Sequence, residues 1–110
     1  MDKVYTIVCH IFKRKHDSDT IRQAFTDLTW DVFKTYELAL KWLKTHNFTV
    51  DNDNSEYDFR YELIYDKYDN DTEPCRIIQF KEYPKGSTNG DEYMISTEYY
   101  SIREMDYYDE

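Results

Sequence analysis

Apolar and polar positions alternate along much of the chain. Val4 to Phe12 reads VYTIVCHIF, rich in residues that fit a pleated, half-buried backbone. Tyr5, Ile7, Cys9 and Ile11 share one face, while Val4, Val8 and Phe12 make the other partly apolar. Both faces are then suited to cover, which predicts a central strand. The polar run KRKHDSD ends it, and Asp17, Ser18 or Asp19 is a fitting helix cap. Ile21, Ala24, Phe25 and Leu28 recur at the spacing of one helical face, so a short helix is expected there. Thr29 to Phe33 reads as a short extended segment.

The clearest helix signal begins at Thr35, a good N-cap, with Glu37 in the first turn where the helix dipole favours an anion. Tyr36, Ala39, Leu40 and Leu43 form its apolar stripe, Lys41, Lys44 and His46 lie toward its C-terminal end, and Asn47 suits the stop. Residues 51–56, DNDNSE, have loop composition. From Tyr57 the alternation is strict. Tyr57, Phe59, Tyr61, Leu63 and Tyr65 fall on one face, opposite Asp58, Arg60, Glu62, Ile64 and Asp66, which predicts a half-buried strand. A long acidic loop, a strand over Arg76–Tyr83, a loose hairpin PKGSTNGDE and a last strand over Tyr93–Ile102 follow, and the tail 103–110 is expected to fray. The order implies α+β, a single domain over 1–110, with an antiparallel sheet of about four strands and one or two helices on one face.

Charge changes this picture more than length does. The 110 residues carry 14 basic and 23 acidic side chains, a net charge of −9. Residues 1–50 are nearly balanced, with eight basic and six acidic side chains; residues 51–110 hold six basic and seventeen acidic ones. Ten of the twelve tyrosines also lie from Tyr57 onward. Such a half repels phosphate, so no direct nucleic-acid partner is expected, and basic partners are favoured. No apolar run approaches the length of a membrane helix and no export signal is read at the N-terminus, so no membrane partner is expected and the expected compartment is cytoplasmic.

Candidate chemistry is thin. Asp51 to Ser55 begins like a calcium loop with Glu62 at its twelfth position, but Glu56 stands where the sharp turn needs glycine. Cys9 and Cys75 form no CxxC pair, and Cys9 and His10, adjacent on a strand, point to opposite faces and cannot act as a nucleophile and base pair. Phosphate-cradling glycine motifs are missing. No catalytic residue, metal site or cofactor is expected.

The informative feature is acid interleaved with tyrosine. On a regular strand Asp58, Glu62 and Asp66 would form a row of negative charge at roughly 13 Å intervals. Loop acids Asp69, Asp71 and Glu73 would extend it, with Tyr68, Glu98 and Tyr100 as further contact residues. In size and charge the chain is similar to the small acidic inhibitors of phages and mobile elements, the anti-CRISPR and anti-restriction proteins. That likeness implies a non-enzymatic protein that binds a basic, nucleic-acid-processing protein or nucleoprotein complex by mimicking nucleic acid. The alternative is a small accessory or structural module, homodimeric through a sheet edge or exposed aromatics, whose acidity serves solubility.

Overall fold

The computed structural model describes residues 2–48, 59–84 and 93–107. They form five strands and one helix: β1 Asp2–Lys15, β2 Ile21–Phe33, α1 Tyr36–Thr45, β3 Phe59–Asp69, β4 Cys75–Pro84 and β5 Met94–Tyr107. All strands join one antiparallel sheet in the order β2-β1-β5-β4-β3. This is mostly sheet with a single helix, and the sheet is larger than the four strands expected from sequence.

The extra strand is β2, where the helical spacing of Ile21, Ala24, Phe25 and Leu28 predicts a helix. Eight positions are too few for that spacing to decide. The segment is rich in Thr, Phe, Trp and Val, which lose side-chain freedom in a helix and pack well on a pleat. The edge of β1 then supplies the partner: Phe12 pairs with Ala24, Ile11 with Phe25 and Val8 with Leu28. The pairing is interrupted between Thr6 and Val8, and threonine hydroxyls satisfy carbonyls at the break. Thr6 Oγ1 donates to Asp31 O at 2.9 Å, and Thr29 Oγ1 donates to Ile7 O at 3.2 Å.

Helix α1 forms where its cap and stripe place it. Thr35 is extended (φ −129°, ψ 154°), and its Oγ1 accepts from Leu38 N at 3.2 Å. At the other end His46, rather than Asn47, leaves the helix, taking extended backbone while its N–H still donates to Trp42 O at 2.8 Å. Ala39 and Leu43 are fully buried, as is Ile7 on β1. Burying a side chain of Leu or Ile size contributes about 1.5–3 kcal/mol. Tyr36 meets Tyr5 edge-on, with ring centroids 5.9 Å apart, and Trp42 packs on Phe33 at 6.3 Å.

The last strand reaches further than expected. Arg103 to Asp106 do not fray but pair with Thr6 to Lys3, and Lys3 bonds the Asp106 carboxylate. In β3, the register slips between Leu63 and Tyr65, so Ile64 is an extra residue opposite β4. The loops at 51–56 and 85–92, and the tail beyond Tyr107, lie outside the described residues.

Candidate interaction surface

Arg76 fixes which face of the sheet is which, because its Nη1 donates to the carbonyl oxygens of Leu43 and Lys44, both at 3.0 Å. Residues paired across antiparallel strands share a face, and neighbours along a strand alternate. The helix side therefore carries Asp27, Asp66, Glu82, Glu98, Glu104 and Asp106, against Lys3, Lys13, Lys15 and Arg76. The second face carries Arg14, Arg60, Lys67, Lys81 and Arg103, against Glu62 and Asp69. The acidity of the strands is thus segregated to one side, and an acidic chain has a sheet face with an excess of cations.

The expected row of Asp58, Glu62 and Asp66 does not exist. The bulge at Ile64 shifts the side-chain phase by one, so Glu62 lies on the second face opposite Lys81 while Asp66 lies on the helix side opposite Ile78. Asp58 falls outside the described residues. The same shift splits the expected tyrosine face: Tyr61 packs edge-on against Phe80 on the helix side, and Tyr65 pairs with Gln79 on the other.

Several of the expected contact residues are already engaged within the molecule. Asp66 accepts from Arg76 at both carboxylate oxygens, at 2.5 Å from Nε and 2.9 Å from Nη2. The Tyr100 hydroxyl donates to Glu98, and the ring packs on Phe48 with centroids 4.4 Å apart. Burial, with the Glu98 hydrogen bond, raises the Tyr100 phenol above its ordinary range. Cys9 pairs with Tyr100 across the strands, and burial, followed by the Glu98 charge, pushes its thiol up to about 12. Tyr68 is half-buried under the Lys44 ammonium, 5.5 Å from its ring centre, and among the described residues its hydroxyl has no hydrogen-bond partner. Glu62, exposed, accepts from the Tyr83 hydroxyl at 3.4 Å.

What remains outward is the β3–β4 turn. Asp71 and Glu73 are exposed and Asp69 partly so; Asp71 N donates to Asp69 Oδ1 at 3.0 Å, the short side-chain bond that shapes an Asx turn. Among the described residues no ion pair neutralises Asp71 or Glu73. The structure thus brings Asp69, Asp71 and Glu73 together at one end of the sheet, and Glu62 lies seven residues back along β3 from Asp69.

Two further features escaped the sequence reading. Edge strand β2 exposes Ile21, Phe25, Leu28 and Val32, each between 47% and 61% accessible. On the second face a groove of about 700 Å³ runs across β2, β1, β5 and β4, with His10, Phe12 and Arg14 along β1 and Tyr99 beside them. The alternation of His10, Phe12 and Arg14 was the available signal, since an imidazole, a phenyl ring and a guanidinium recur on one strand face. No cluster of three or more potential metal ligands occurs among the described residues, and no helix among them is long and apolar enough to cross a membrane.

No protein-family model matches the chain, and no match is found among curated proteins or solved structures.

Proposed function

We propose that the protein is a non-enzymatic binding protein that inhibits a basic, nucleic-acid-processing protein or nucleoprotein complex. The observation that supports this is the un-neutralised acidic turn. Asp69, Asp71 and Glu73 project from one end of the sheet without a cation among the described residues to quench them, in a chain of net charge −9. A lysine- and arginine-lined groove that normally takes phosphates would accept such a turn. The contact set is narrower than the nine residues expected from sequence. Asp66, Glu98 and Tyr100 hold the fold together, and the turn acids carry the encounter.

The test is a binding assay against DNA- and RNA-processing complexes over a salt titration. Replacing Asp69, Asp71 and Glu73 together by Lys should abolish binding while the chain stays folded. Capture that survives this reversal, or that does not weaken with salt, overturns the reading.

One observation favours a second reading, a homodimeric accessory module. Strand β2 is a long sheet edge with apolar side chains exposed on it, and an unpaired edge of this kind templates pairing with another strand. Light scattering distinguishes the two: a dimer that Phe25→Lys dissociates supports the module, and a monomer at working concentration excludes it.

A further inference from the structure

We infer that the groove on the second face of the sheet binds a mononucleotide, a planar base carrying a single phosphate. The inference is independent of the acidic turn, which lies at the end of the β3–β4 hairpin. The groove is open to one side, and its volume, about 700 Å³, is of the size of small-ligand clefts. Its wall is aromatic: Phe12 and Tyr99 meet edge-on, with centroids 5.7 Å apart and planes at 73°. Tyr99 remains 37% accessible, so a third ring can stack on this pair.

The polar groups are set for an anion joined to such a ring. Arg14 Nη1 donates to the carbonyl oxygens of Lys15 at 3.3 Å and Ser18 at 3.2 Å, which fixes the guanidinium and leaves its other N–H groups for a phosphate. His10 Nδ1 lies 3.0 Å from Thr26 Oγ1, so the ring is held by one nitrogen, and among the described residues the other has no hydrogen-bond partner. Gln79 Nε2 donates one hydrogen to Thr97 Oγ1 at 3.1 Å and keeps a second N–H and its carbonyl oxygen, a donor and acceptor suited to a base edge. Asp19, at the rim, is an acceptor for a sugar hydroxyl.

Charge selects the size of the ligand. Among the described residues Arg14 is the one cation of the groove's lining, so a single phosphate is its complement. The whole chain is −9, so each further phosphate adds repulsion that one arginine does not offset. A single nucleotide meets the attraction without the accumulating cost of a strand.

The experiment is a titration of the full chain, followed by amide chemical shifts and calorimetry. The probes are adenosine and uridine 5′-monophosphate, the two nucleosides, inorganic phosphate and a short oligothymidylate. Saturable nucleotide binding is expected, with shifts clustered at His10, Phe12, Gln79 and Tyr99. The nucleosides and phosphate alone should each bind at least about fivefold more weakly, a difference of about 1 kcal/mol. Tyr99→Ala and Arg14→Gln should each cost a similar factor, while Arg103→Gln, on the same face outside the groove, should cost nothing. Absence of saturation up to about 10 mM overturns the inference. So do shifts that map elsewhere, a map that needs no variant to fold. Affinity that rises with oligonucleotide length also overturns it, in favour of a single-strand track, and an equal loss in Arg103→Gln would reduce it to general charge attraction.

Discussion

Arg76 joins Asp66 on the neighbouring strand to the C-terminal end of α1. Its Nε and Nη2 hold the two oxygens of one carboxylate, and its Nη1 holds the carbonyls of Leu43 and Lys44. The pair's side chains are only 13% and 19% accessible, and the carboxylate raises the guanidinium pKa further above its ordinary value. One side chain therefore spends its fork on both the sheet and the helix end, where carbonyl groups otherwise lack partners.

Arg76→Gln is expected to destabilise the protein by about 3 kcal/mol, because it strands a half-buried carboxylate and frees two helix carbonyls. Asp66→Asn should cost less, about 1–2 kcal/mol, since the amide still accepts one bond. Urea midpoints measure both. Hydrogen exchange at the His46 amide, which bonds Trp42 O, should accelerate in Arg76→Gln beyond the global change.

A second ion pair has the more buried carboxylate. Lys13 Nζ meets Glu82 Oε2 at 3.0 Å, and the glutamate is among the buried residues. Lys13→Met leaves that carboxylate uncompensated and should cost about 3–5 kcal/mol. The double variant Lys13→Met, Glu82→Leu should recover most of the loss in thermal unfolding, because an apolar pair has no charge to desolvate. Equal stability of the single and double variants would contradict this.

Alkaline pH should unfold the protein early. The Cys9 thiol rises in the folded state from 9.0 to about 12, and the Tyr100 phenol rises from 10.0. A raised acid pKa means that the folded chain holds its proton longer than the unfolded chain. The stabilisation is therefore complete below pH 9 and is lost as pH climbs toward 12, by up to about 1.4 kcal/mol per pH unit for each proton. Cys9→Ala and Tyr100→Phe should each flatten that decline in chemical denaturation run at successive pH values. For the same reason the native Cys9 thiol should resist a thiol reagent near pH 8 that labels it at once in denaturant.

Asp71 and Glu73 should be neutral for stability. Asp71→Lys and Glu73→Lys remove no described contact of either carboxylate and lower the net negative charge, so unfolding free energies should stay within about 0.5 kcal/mol of the parent. Loss of partner binding in these variants would then be a surface effect rather than a folding defect. By contrast Thr35→Ala, which deletes the cap of α1, should cost about 1 kcal/mol.

Local chemistry made β1 and α1 legible. The apolar run from Val4 occupies an interior position of the sheet, and the Thr35 cap with its Ala39 and Leu43 stripe forms the helix as read. β2 has a helical spacing over eight residues that also fits a bulged strand, and the choice is made by pairing with β1, which no local pattern contains. The candidate surface failed at one residue. Ile64 carries no glycine or proline to announce a bulge, yet it turns Glu62 and Asp66 to opposite faces. The Tyr100–Glu98 bond, two positions apart on one strand face, was within reach of periodicity. The Asp66–Arg76 pair was not, because it depends on how β3 and β4 align after their turn.

The place of β5 has a consequence for how the chain assembles. β1 and β2 can form a hairpin, as can β3 and β4, but the sheet is joined only when the last strand slides between them. Until then both hairpins present their most apolar edges, β1 with Ile7 and Val8 and β4 with Ile78 and Phe80, to water and to each other. Pairings such as Lys3 with Asp106 span almost the whole chain, so their loop-closure entropy is met before any of their contacts form. The protein should therefore fold slowly for its size, on the millisecond-to-second scale, and depend on synthesis of β5 to leave an association-prone intermediate.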